Sequence, residues 1–179
     1  GGIPIQRISQ EDTNKVIDEL EKCGVNFIDT ARGYTVSEEY LGNALKGRRE
    51  KFYIATKSMS RDYESMKRDI EISLKNLQTD YIDLYQMHNV KPAEYDTLFG
   101  EDKAYRALLE AKEQGKIKHI GITSHGLETV EKAVESDKFE TIQFPYNIVE
   151  NQADEVFKRA YEKGVGTIVM KPLAGGAID

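Results

Sequence analysis

Residues 24 to 42 read Gly24-Val-Asn-Phe-Ile-Asp29-Thr-Ala-Arg-Gly-Tyr34-Thr-Val-Ser-Glu-Glu-Tyr-Leu-Gly42, and this stretch decides the fold. A short apolar run from Val25 to Asp29 ends on an acid. A turn of small residues then leads into a segment where Tyr40, Leu41, Ala44 and Leu45 recur at helical spacing. That is the pattern of a strand followed by a helix. The same alternation continues through strand candidates at Phe52 to Thr56, Tyr81 to Tyr85, Lys118 to Thr123, Thr141 to Phe144 and Thr167 to Met170. Apolar stripes lie between and before them: Val16, Ile17 and Leu20; Met66, Ile70, Leu74 and Leu77; Leu108 and Leu109; Val130, Ala133 and Val134; Val156, Phe157 and Ala160. Such stripes face a sheet and leave the opposite side of each helix to water.

Gly24, Gly47, Gly115 and Gly164 stand where helices return to strands, the place where a left-handed residue reverses the chain. A strand–helix unit of about thirty residues suits repeated parallel crossovers. An open doubly wound sheet would want a glycine-rich phosphate loop after its first strand, and the stretch from Asp29 to Tyr34 holds only Gly33. The pattern therefore predicts an α/β fold of the (β/α)₈ TIM-barrel type. A whole barrel usually takes ~250 residues. The chain opens on Gly1-Gly2-Ile3-Pro4 and stops at Asp179, so the expectation is a single partial barrel domain over residues 1–179, truncated at both ends and covering about strands two to seven. The longer loop from Asn89 to Gly100 reads as a substrate or lid loop.

With 25 Lys plus Arg against 31 Asp plus Glu, the formal charge is −6, and no basic patch interleaved with aromatics argues for a nucleic-acid surface. No apolar run approaches the ~20 residues that span a bilayer. The single cysteine, Cys23, falls in the apolar register of the first helix and is expected to be a buried thiol in a reducing, cytoplasmic setting. The oligomeric state is left open, and no metal site is expected.

Asp29, Tyr34, Lys57 and His88 all lie at or just beyond the C-terminal ends of strand candidates. In a barrel those ends converge on one face. The group is chemically coherent, because a carbonyl accepting hydride develops negative charge that a proton or fixed donors must meet. A tyrosine with an ordinary pKa of ~10 is a poor proton exchanger near neutrality unless a neighbouring ammonium lowers it. Lys57 is expected to do so, with Asp29 keeping the lysine charged and His88 orienting the carbonyl. Taken singly, Asp29 also reads as a cap, Tyr34 as a packed loop aromatic, Lys57 as the partner of a buried acid, and His88 as a satisfied loop histidine.

The Gly24–Gly42 stretch resembles the signature of the aldo-keto reductases, in which aspartate and tyrosine five residues apart precede a serine–glutamate pair and a leucine–glycine helix end. Ile54-Ala-Thr-Lys57 is similar to the strand carrying that family's lysine, and Asp83-Leu-Tyr-Gln-Met-His88 to the strand carrying its histidine. The resemblance runs from Gly1 to Asp179. It implies an NAD(P)H-dependent reductase of aldehydes or ketones, with Tyr34 as general acid. NADP(H) is implied in preference to NAD(H), with a small-molecule carbonyl as substrate. On the cofactor side it assigns Thr123 and Ser124 in place of the family's serine–asparagine pair, together with Gln143. Met170 stands where relatives place a stacking aromatic, and Lys171 beside it is a candidate for cofactor phosphate. The wording Met170-Lys-Pro-Leu-Ala-Gly-Gly176 resembles the branch that often continues into a ferredoxin-like region, so an iron–sulfur cluster is implied only outside this segment. Two alternatives stay open: a cofactor-binding, redox-sensing regulatory subunit with little turnover, and a Schiff-base aldolase using Lys57.

Overall fold

The computed structural model describes residues 1–149, 151–174 and 176; Gly175, part of the stretch running from Met170 to Gly176, lies outside them. Six parallel strands pair in sequential order and curl into part of a barrel. They are β1 (Phe27–Asp29), β2 (Tyr53–Ser58), β3 (Ile82–Met87), β4 (Ile117–Thr123), β5 (Thr141–Pro145) and β6 (Gly166–Met170). The helices are α1 (Gln10–Lys22), α2 (Ser37–Ala44), α3 (Tyr63–Leu77), α4 (Ala104–Glu113), α5 (Leu127–Glu135) and α6 (Asp154–Lys163). Each strand-to-strand step runs through a helix, as parallel pairing demands. The expected strands are all present, with ends displaced by a residue or two.

Register sorts the side chains. Asp29 pairs with Ala55, Lys57 with Gln86, Gln86 with Gly121 and Thr123 with Gln143, so these residues share the concave face. The alternate residues, among them Ile54, Met87, Ile122, Ile142 and Phe144, join Met66, Ile70 and Leu74 of α3, Leu108 of α4, Val130 of α5 and Val156 of α6 in one apolar cluster. Each large side chain so buried contributes roughly 1.5–3 kcal/mol. Gly42 permits a close helix approach: a Cβ there would meet the Asn76 carbonyl oxygen at 2.2 Å, so α2 lies flush on the end of α3.

Local signals hold where the chemistry is local. Ser9 caps α1 by accepting from the Asp12 N–H at 3.0 Å, and Asp62 caps α3 by accepting from the Ser65 N–H at 2.9 Å. Gly24, Gly47, Gly115 and Gly164 all have φ between 72° and 77°, as the helix returns require. Non-glycine residues take positive φ at two further helix returns, Gln78 after α3 and Asp137 after α5, and beyond the other ends of strands at Thr35 after β1, Asn89 after β3 and Lys171 after β6.

Four expectations need correction, the first being Val16, which faces solvent instead of the sheet. Cys23 is exposed, because the buried line of α1 runs through Thr13 and Ile17, whereas Cys23 lies seven residues beyond Val16, which is itself 42% exposed. Leu109 is likewise exposed, since α4 buries Ala104, Ala107, Leu108 and Ala111 instead. The segment from Asn89 to Gly100 is a packed strap more than an open lid. A 3₁₀ turn spans Pro92–Leu98, Val90, Tyr95 and Leu98 are buried, and Phe99 meets Tyr95 and Tyr105 edge-on with ring centres 5.4 and 5.3 Å away. No helix of the described residues is long and apolar enough to cross a membrane.

Candidate active site

At the C-terminal end of the curl, three strand ends bring four distant residues together. Asp29 closes β1, Lys57 is the penultimate residue of β2, and His88 follows β3 directly; Tyr34 sits on the turn between β1 and α2. Lys57 is 3% exposed, and its Nζ donates to Asp29 Oδ2 and to the Thr30 carbonyl, each at 2.8 Å. The same ammonium stands over the Tyr34 ring, 5.0 Å from its centre. Tyr34 in turn meets His88 edge to face, with ring centres 5.9 Å apart. Sequence reading placed these four residues at one mouth, and the structure brings them into one contact set.

The electrostatics differ from the expectation in one respect. Burial, reinforced by the Asp29 charge, pushes the Tyr34 phenol up to about 12. Lys57 does not bring it down, because its ammonium faces the ring and is engaged by Asp29 and Thr30. Burial lowers Lys57 itself, and the attraction of Asp29 opposes that shift. His88 is lowered to about 4, first by burial and then by the Lys57 charge, so its imidazole is neutral across the physiological range. The arrangement therefore offers a protonated phenol, a neutral imidazole and a paired ammonium at one place.

Two neighbours escaped the sequence reading. Gln86, fully buried on the concave face, donates through Nε2 to Asp29 Oδ1 at 3.3 Å. Its spacing of two from His88 along one strand was the available signal. Arg61 donates through Nη2 to the His88 carbonyl at 2.8 Å, and its Nε lies 3.6 Å from Glu94 of the Pro92–Leu98 turn. No local pattern announces that latch.

The cofactor-side residues line β4 to β6 and are less uniform. Thr123 Oγ1 accepts from the Asn89 N–H at 2.8 Å and keeps its own proton to give. Ser124 is fully buried, donating to the Val90 carbonyl at 2.5 Å and accepting from the Gly126 N–H at 2.9 Å, so its hydroxyl braces the turn after β4. Gln143 Oε1 is buried and has no hydrogen-bond partner, a state that costs about 1–3 kcal/mol until a donor arrives. Met170 ends β6 half-buried, and Lys171 follows it, exposed, with its carbonyl accepting from Asn147 Nδ2 at 3.1 Å. An amide donor such as the carboxamide of a nicotinamide ring fits the open acceptor of Gln143. Thr123 fits as a second partner; Ser124 fits less well, because its hydroxyl is already engaged. Among the described residues, no group of three or more His, Cys, Asp or Glu side chains is placed to hold a metal ion.

Comparison with known proteins gives a consistent picture. The model of the Aldo/keto reductase family matches residues 1–179. Aldo-keto reductase YhdN of Bacillus subtilis is 31% identical over 189 residues, covering 97% of this chain and 54% of its own. Methylglyoxal reductase DkgA of Escherichia coli is 32% identical over 137 residues, covering 75% of this chain and 48% of its own. The holo form of aldo-keto reductase AKR11C1 from Bacillus halodurans superposes with a TM-score of 0.84 at 30% identity, over 94% of this chain and 59% of that one. The chain spans about half the length of the curated relatives it matches.

Proposed function

Because the chain belongs to the aldo/keto reductase family, we propose that it carries the catalytic part of an enzyme that reduces aldehyde or ketone carbonyls to alcohols. Tyr34 is the general acid in this reading. The single observation that carries it is the contact set of Lys57 with Asp29 at 2.8 Å, Lys57 over Tyr34 at 5.0 Å, and Tyr34 against His88 at 5.9 Å. A reduced nicotinamide, when bound, supplies the hydride. NADP(H) is the proposed form in preference to NAD(H), and the setting cytoplasmic.

Each residue then has a stated task. Tyr34, protonated at neutral pH, gives its proton to the carbonyl oxygen as negative charge builds there. The Lys57 ammonium holds the face of the Tyr34 ring and so fixes where the phenol stands, and Asp29 keeps that ammonium charged and in place. His88, neutral, orients the carbonyl through a ring nitrogen. Gln143 and Thr123 would hold the carboxamide of the nicotinamide, Met170 would offer its ring a polarizable surface, and Lys171 would offer its phosphate a cation. The Schiff-base alternative is less well supported, since Lys57 Nζ is held by two acceptors that stabilise its charged, non-nucleophilic form.

Steady-state oxidation of NADPH and NADH with a panel of sugars, quinones, steroids and small aldehydes tests the proposal. Turnover with at least one class is the expected result. Tight cofactor binding without turnover across the panel would overturn it in favour of a redox-sensing subunit.

A further inference from the structure

Behind the contact set, on the convex side of β2, lies a second group of charges that takes no part in the proposed chemistry. Glu38, in the first turn of α2, has a side chain only 1% exposed. Its Oε1 accepts from Thr56 Oγ1 and Ser73 Oγ, both at 2.8 Å, and its Oε2 accepts from Arg32 Nη1 at 3.0 Å and Asn76 Nδ2 at 3.3 Å. Asp69 of α3 accepts from Ser58 Oγ at 2.5 Å and Ser60 Oγ at 2.6 Å, and its other oxygen lies 3.6 Å from Arg32 Nε. Thr56 and Ser58 are the residues on either side of Lys57. The two acids thus grip the outer face of the strand segment whose inner face carries the lysine.

Arg32 joins this group to the loop that bears Tyr34. Its backbone N–H donates to the Lys57 carbonyl at 2.9 Å, and Tyr34 follows two residues later. Between Tyr34 and α2 the chain passes through Thr35 at φ 43°, a conformation that persists only where the surroundings over-determine it. Burial opposes the Arg32 charge, yet Glu38 and Asp69 outweigh it and hold the guanidinium more firmly protonated than usual. Desolvating an acid and a guanidinium here is expensive, and apolar side chains of similar volume would often stabilise as well. A position at the start of α2 favours Glu38 through the helix dipole, but that effect needs no arginine and no burial.

Building on the assignment of Tyr34 as the acid, we infer that Arg32 and Glu38 are positioning residues that lock the Tyr34 loop to β2 and so set the phenol against Lys57 and His88. Displacing a reacting group by about 1 Å lowers turnover by up to ~100-fold without weakening binding. In the full chain, Arg32→Met and Glu38→Gln are therefore expected to reduce kcat by about 10- to 100-fold, with carbonyl KM and cofactor affinity changed less than about twofold. Arg32→Lys recovers part of the loss. The deciding measurement is the double variant: in a Tyr34→Phe background, Arg32→Met should cause no further loss, because the remaining turnover no longer depends on where the phenol sits. Equal fold-losses in both backgrounds, or unchanged kcat in folded Arg32→Met, would overturn the inference. If Arg32→Met does not fold, Arg32→Lys and Arg32→Gln go through the same cycle under the same criteria. If Tyr34→Phe alone retains full turnover, the acid assignment has failed, and backbone hydrogen exchange tests the lock directly. Faster exchange confined to residues 30–37 in Arg32→Met supports it, and unchanged exchange there refutes it.

Discussion

The two halves of the curl treat charge in opposite ways. On the concave side of β1 to β3, a carboxylate and an ammonium are buried as a pair, with Gln86 donating to the carboxylate and two aromatic rings meeting edge to face beside them. Toward the pocket end of β4 to β6, the concave face offers only neutral groups: Gly121, Thr123, Gln143 and Met170, until Lys171 at the rim. Gln143 Oε1 waits there without a donor. Gln86 Oε1 and His88 Nδ1 are equally open in the first half, so the contrast is one of charge: a prearranged acid with its electrostatic support on one side, a neutral cradle on the other.

The sharpest way to break the comparison is to remove the acid. Tyr34→Phe should lower turnover by ~100-fold or more while leaving cofactor affinity nearly unchanged, the scale of positioned proton transfer. Lys57→Met and Asp29→Asn should follow it in direction. Retained turnover in Tyr34→Phe would dissolve the division of labour. In the other half the effect should appear in binding: Gln143→Leu is expected to weaken nicotinamide cofactor binding about tenfold, as loss of one buried hydrogen bond implies, with the chemical step little affected. Titration by fluorescence against single-turnover rates separates the two readouts.

A third measurement probes rigidity. Gly42→Ala pushes a methyl group into the Asn76 carbonyl and should destabilise the chain by about 1–3 kcal/mol, read as a lower denaturant midpoint, because neither helix backbone can give way alone. An unchanged midpoint would mean that α2 is loosely held and the first half less preorganised than its hydrogen bonds suggest.

The smallest expected effect is that of pH. His88 is neutral above about 4 and Tyr34 protonated below about 12, so both stay in their working forms and the chemical step should vary less than about twofold between roughly pH 6 and 9. A steep dependence within that window would assign the proton to a different group. For stability the sign is the usual one for a depressed histidine. The unfolded chain takes up a proton near ~6.5 while the folded one refuses it until about 4, so His88's contribution is complete above the first value and is lost as pH falls toward the second.

Much of this was legible in the sequence, because strands, helix returns and strand-end residues are local or periodic features. Val25 to Asp29 and Ile54 to Lys57 announce themselves by apolar runs that end in charge. Cys23 was misread because it continues the register of Val16, one 100° step round the helix from buried Ile17, and Leu109 because it sits beside the core position Leu108. The direction of the Tyr34 shift was hidden for another reason: it depends on which face of the ring the ammonium meets and on what else holds that ammonium. Glu38 stood within the quoted stretch, yet its role was invisible, because its partners come from the Tyr34 loop, β2 and α3.

The positive-φ residues carry a last consequence, for the folding equilibrium. At four helix returns the reversal is made by glycine, which loses more freedom on folding than any other residue, so the cost of those turns is borne in the denatured ensemble. At Thr35, Asn89 and Lys171, as at the helix returns Gln78 and Asp137, the reversal is made by residues with a Cβ, and the cost is carried as strain in the folded chain. Changes at these two sets of positions therefore act on opposite ends of one equilibrium. Replacing Gly24 would have to overcome native strain before any benefit from a stiffer unfolded chain appeared, whereas Thr35→Gly would relax the native rim while making the unfolded chain more disordered.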